Sequence, residues 1–174
     1  MKLSLLALLF LVVCPIPAKA QSEERDVRTL LQDSAYVFNR FEEATTGLDT
    51  EIDSWSVPES VKKEIKAEHL AVLRNVKAEK PSLNALLLKS DVSAGDLFDV
   101  YSELTEVVNE LNDQSYHLAN WGDSTTMIDF TKLGTKTIIL AANLGVVLRL
   151  KIEDQEARLA ACSANPLLPT AKPQ

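Results

Sequence analysis

The sequence predicts an all-α protein, an up-down-up-down four-helix bundle with a short extra helical segment before the third long helix. Three observations lead there. Apolar residues recur at the three-and-four spacing of a single helix face over long stretches. Runs that alternate apolar and polar residues, as half-buried strands do, are scarce. Only five glycines interrupt 174 residues, and several of the seven prolines fall where an apolar stripe ends.

The first residues are of a different kind. Lys2 is followed by an apolar run from Leu5 to Val13, then Pro15 and Pro17, then Ala18-Lys19-Ala20 before Gln21. A basic start, a short apolar stretch and small residues at the cut describe a secretory signal peptide. The run is too short to span a bilayer, which takes about 20 apolar residues. Leu11-Val12-Val13-Cys14 approaches a bacterial lipoprotein box, but Val13 is bulkier than the small residue such a box requires. Cleavage after Ala20 is therefore expected, with Cys14 discarded rather than lipidated. The domains read as a signal peptide over residues 1–20, a helical bundle over 21–163 and a disordered, proline-containing tail over 164–174.

Within the exported part, helix one is expected to start at Ser22, a capping residue with Glu23, Glu24 and Asp26 in the positive first turn. Its stripe is Val27, Leu30, Leu31, Ser34, Phe38 and Phe41, with a stop at Gly47. A connector follows, with Leu48, Ile52, Trp55 and Val57 covering an end of the core. Ser56-Val57-Pro58-Glu59 reads as a capping box opening helix two, whose stripe is Val61, Ile65, Val72 and Val76, up to Lys80-Pro81. Leu83 to Leu88 forms the extra helical segment. Ser93-Ala94-Gly95-Asp96 caps helix three, whose face Leu97, Val100, Leu104, Val107, Leu111 and Leu118 is sustained up to the stop at Gly122. The link to helix four, which starts at Asp123 or Ser124 and runs to about Cys162, is short, so the last two helices are antiparallel neighbours.

Helix four is apolar on every side between Ile138 and Leu148, where Asn143 is the one polar residue. A surface helix requires one apolar face. This helix is therefore central in the fold or meets something outside it, and Ile139, Ala142, Val146 and Leu150 form the candidate interaction face. Thr137, Asn143, Arg149 and Lys151 argue against a membrane span.

Composition narrows the function classes. Without the leader, the 18 basic residues lose Lys2 and Lys19 and stand against 25 acidic ones, a formal charge of −9. Such acidity argues against nucleic acid and against anionic membrane surfaces. Cys162 remains as a lone thiol, free or paired between chains, so no internal disulfide framework is expected. No Asn-x-Ser/Thr sequon is present, which suits a bacterial periplasmic or extracellular protein.

Catalytic and cofactor signatures are weak. His69 falls on the second stripe and is the one weak candidate for cofactor binding, but no Cys-x-x-Cys-His attachment accompanies it and only Met127 offers a second axial ligand. Lys66 and Gln114 occupy the places where a Glu-x-x-His di-iron motif needs glutamate. His117 and Asp113 share a helix flank without a third ligand. There is no nucleophile elbow and no phosphate-cradling loop, so no catalytic or metal residues and no cofactor are assigned. The sequence reads as a non-catalytic binding or self-associating module, with a homo-oligomer or another protein as partner. Two alternatives are a haem- or metal-carrying periplasmic bundle using His69, and a lipid- or membrane-interacting envelope protein acting through helix four.

Overall fold

The structure, a computed structural model, describes the backbone of residues 18–163 and the side chains of residues 26–162. The expected leader, apart from Ala18 to Ala20, and the expected tail lie outside the described residues. Those described fold into four helices and no strands: α1 (Ala18–Ser54), α2 (Glu59–Leu86), α3 (Ala94–Trp121) and α4 (Ser124–Ser163). Each helix packs against its sequence neighbours and α4 closes the ring against α1, while α2 and α4 do not approach each other. This is the four-helix bundle that the periodicity predicts, with α3 and α4 as its most extensive pair.

Several element boundaries differ from the sequence reading, each for a local reason. Helix α1 neither starts at Ser22 nor stops at Gly47. Ala18 to Gln21 contain no breaker, and beyond Gly47 the stripe continues through Leu48 and Ile52, both buried, to Trp55. Gly47 lies on the exposed side, and the roughly 1 kcal/mol it costs against alanine is outweighed by those buried residues. The capping box at Ser56 does not form. Pro58 is the N-cap instead, with no side-chain cap, and its carbonyl accepts from the amides of Val61 and Lys62.

Pro81 does not end α2 but sits inside it on an exposed position. The segment from Leu83 is helical as expected, but it is joined to α2, because burial of Leu83 and Leu86 holds the last turns against the core. Helix α3 starts as predicted. The Ser93 hydroxyl accepts from the Asp96 amide at 3.1 Å and the Asp96 carboxylate accepts from the Ser93 amide at 3.0 Å.

Leu97, Leu104, Leu111 and Leu118, seven residues apart, are all within 1% of complete burial and form the spine of α3. Phe38, Phe41, Leu31 and Ile52 of α1 and Leu144 of α4 complete the centre. Small residues let α4 lie close to α3: a Cβ on Gly134 would stand 3.6 Å from that of Leu111, and one on Gly145 would stand 3.3 Å from the Tyr101 ring. Two hydroxyls in this interior bond to their own helix, Ser34 to the Leu30 carbonyl and Thr137 to that of Leu133, both at 2.8 Å.

The turn between α3 and α4 is tied to α1. Gly122 donates to the Leu118 carbonyl at 3.0 Å, and the Asp123 amide donates to Glu51 Oε1 at 2.7 Å. Asp123 in turn caps α4 by accepting from the amides of Thr125 and Thr126 at 2.8 and 2.9 Å. A Cβ at Gly122 would come within 2.5 Å of Leu118 Cδ2 and 2.9 Å of Glu51 Oε1. Gly122→Ala is accordingly expected to lower stability by about 1–3 kcal/mol, read as an earlier urea midpoint at unchanged slope.

Candidate functional site

Helix α4 is not central. It occupies a corner of the bundle, with Phe130, Thr137, Leu140, Ala141, Leu144 and Leu148 turned inward. The residues on its opposite side are apolar as well. Ile128, Ile139, Val146 and Leu150 expose 46, 57, 51 and 50% of their surface, and Ala142 between them is also exposed. The candidate face Ile139, Ala142, Val146 and Leu150 is thus a continuous exposed stripe flanked by Ile138, with Ile128 on the same line beyond the exposed Thr131, Lys132 and Thr135. Isolated exposed apolar side chains are ordinary, whereas a row of them down one helix marks a contact surface.

Charges of both signs border this stripe: Lys132 and Lys136, with Asp129, accompany its first half, and Glu153, Asp154 and Glu156 lie among Arg149, Lys151 and Arg158 at its far end. Lys136 rests over the Tyr36 ring of α1, 3.9 Å from its centroid. Lys151 donates to the Val92 carbonyl at 2.6 Å and fixes the point where α4 leaves the bundle. From Ile152 to Cys162 every residue is exposed, Leu159 at 71%. Cys162 is a free, exposed thiol. Among the described residues α4 is also the one helix long and apolar enough to cross a membrane, by length and composition.

The other candidate, His69, is completely buried on α2, and its Nε2 is 2.8 Å from Asp49 Oδ1 of α1. Its Nδ1 is buried without a hydrogen-bond partner. A metal at Nε2 would have to displace the Asp49 carboxylate. Among the described residues no three His, Cys, Asp or Glu side chains converge as a metal site would require. His117 does not pair with Asp113 but stacks on Trp121, with ring centroids 5.3 Å apart and planes 12° from parallel.

Trp55 follows the last residue of α1, and Trp121 is the last residue of α3. They meet at the same end, 6.1 Å apart, because α1 and α3 run in the same direction and both finish there. A crevice of about 270 Å³ elsewhere, over Phe38, Leu83 and Val100 with Glu79, Asp96 and Asp99 at its rim, assembles no catalytic grouping. Asp96 there is committed to its cap and to Lys89, 3.1 Å away, and these bonds, with that of the Ser93 amide foremost, hold its carboxyl below the usual range.

Buried acids on the α2-facing side of α3 form a feature not singled out in the sequence. Glu103 is 8% exposed, and its Oε1 lacks a partner. Burial raises its carboxyl to about 7, with the nearby charges of Glu106 and Glu79 adding to the rise. Glu110, one heptad later, is also pushed up by burial although Gln114 Nε2 donates to it at 2.6 Å. The signal was available in the spacing Val100, Glu103, Val107, Glu110, Gln114, a second heptad stripe beside the leucine spine.

Comparison with protein families, curated proteins and solved structures finds no match to this chain.

Proposed function

We propose that this chain is an exported, non-catalytic helical bundle that works by binding, and that the outward face of α4 is its contact surface. The observation that carries the reading is the row of half-exposed Ile139, Val146 and Leu150 around Ala142, on the side of α4 opposite the core. Covering such a row would release ordered water at roughly 25 cal/mol per Å² of apolar surface. The leader pattern supports export, and the acidity supports a protein partner over nucleic acid.

A lipid-binding reading has one observation in its favour, the length and apolar character of α4. Against it stand Lys136, Asn143 and Arg149 within the helix, and the inward side of the same helix, which is occupied by the core.

A photo-crosslinking residue in place of Val146 is expected to form adducts in the exporting cell, while one in place of the exposed Lys63 of α2 forms none. The mass of the adduct separates protein from lipid. Equal absence of adducts at both positions would end the binding-face reading.

A further inference from the structure

We propose that the partner of the α4 face is the α4 face of a second copy of this chain, the two helices running antiparallel. This deepens the reading above and rests on it.

The shape of the stripe is the first observation. Ile128, Ile139 and Leu150 are eleven residues apart, with Ala142 and Val146 filling the last interval at steps of three and four. Eleven residues in three turns is about 3.67 per turn, close to the period of a straight helix. The line therefore runs along α4 without winding away, apolar for about 17 Å from Ile139 to Leu150 and carrying Thr131, Lys132 and Thr135 on the way to Ile128. Ala142 near its middle allows close approach of another helix.

Charge selects the partner and its direction. With two copies antiparallel about a centre near Leu144 and Gly145, Ile139 lies opposite Leu150 and Ala142 opposite Val146. The same register sets Lys136 against the second copy's Asp154, on the same flank of the stripe, with Glu153 beside it. Parallel copies would set lysine against lysine and acid against acid. The local contacts these groups now make, Lys136 over the Tyr36 ring at 3.9 Å, Lys132 with Asp129 at 3.6 Å, Glu153 with Arg149 at 3.6 Å and Asp154 with Arg158 at 2.9 Å, are all on the open surface and hold them weakly.

The overhang is the third observation. Beyond Lys151, α4 continues for residues 152–162 with no cover from its own bundle. A helix of that length is marginal in water by itself. In the antiparallel register Ala157 and Ala160 lie along Thr131 and Ile128 of the second copy, so each copy supports the projecting end of the other.

The test uses the native thiol at Cys162, in the full chain carrying Cys14→Ser so that one cysteine remains whether or not the leader is removed. Spin labels on Cys162 should lie about 50 Å apart in the antiparallel pair, the span of the 35 residues between equivalent positions at 1.5 Å each. A parallel pair would bring them within about 30 Å, Cys162 lying on the far side of each helix from the stripe, and that shorter distance overturns the proposal. Lys136→Glu should weaken the dimer by about tenfold or more, and adding Glu153→Lys with Asp154→Lys should recover it. Sedimentation as a monomer at 100-micromolar order, with no inter-label distance, also overturns the pairing. Should adducts still form at Val146 in that case, the binding face stands with another partner; should none form, both readings fail together.

Discussion

Phe41→Ala is expected to lower the stability of the bundle by about 3–5 kcal/mol. Phe41 is completely buried on α1, in the same stripe as the buried Phe38, Leu48 and Ile52. Truncation removes the transfer free energy of the ring and leaves a void that helices held at both ends of the bundle cannot fully close. A domain of this size loses about 2–4 °C of Tm per kcal/mol, so the melting point should fall by roughly 10 °C. A fall of only a degree or two would mean that α1 is loosely seated, contrary to its burial.

Glu103→Gln should act in the opposite direction, with a gain that grows as pH rises above about 4 and is complete above about 7. The Glu103 carboxyl titrates at about 7 in the folded chain, against about 4.3 when unfolded. Below the lower value both states hold the proton and no difference arises. Between the two values the folded state retains a proton that the unfolded state has released, so stability falls as pH rises through this window. Above about 7 the loss is complete. Glutamine keeps the shape of the protonated acid and removes the titration. The variant should therefore match the wild type at pH 4 and exceed it at pH 8 by about 1–2 kcal/mol, the remaining solvent around the group screening part of the effect.

Glu110 shifts in the same direction, so some decline with pH should remain in the variant. Glu42 is held low, with the Lys80 hydrogen bond foremost and Lys77 adding to it, and Asp96 by its cap, so both cost stability as pH falls. The wild type should accordingly be most stable in the mildly acidic range, about pH 4–6. Urea midpoints across pH for the two proteins test this directly, and parallel curves would rule out Glu103 as the source of the decline.

The existence and order of the helices could be read from the sequence because apolar spacing is a property of each helix by itself. The Ser93–Asp96 cap was legible for the same reason, since both partners lie within one turn. Gly47 and Pro81 misled because each is a local stop signal on a solvent-facing position, while the burial that overrides it comes from Leu48, Ile52, Leu83 and Leu86 on the other side of the helix. The meeting of Trp55 with Trp121, and of His69 with Asp49, follows from helix direction and register rather than from any local pattern. The exposed α4 face was visible as an excess of apolar residues. Whether that excess was central or outward depended on α2 and α4 occupying opposite corners, which no single stripe reveals.

The tie between Glu51 and the amide of Asp123, with the close fit of α3 against α4, also bears on timing. A chain appearing N-terminus first presents α1 and α2 well before the helices that complete the ring. Its most extensive helix pair cannot close until α4 is nearly complete, and the Glu51 tie waits on the same event. Premature folding is therefore disfavoured by the order of the elements along the chain. Under the export proposed above, late closure would keep the chain competent to thread a narrow channel before it folds.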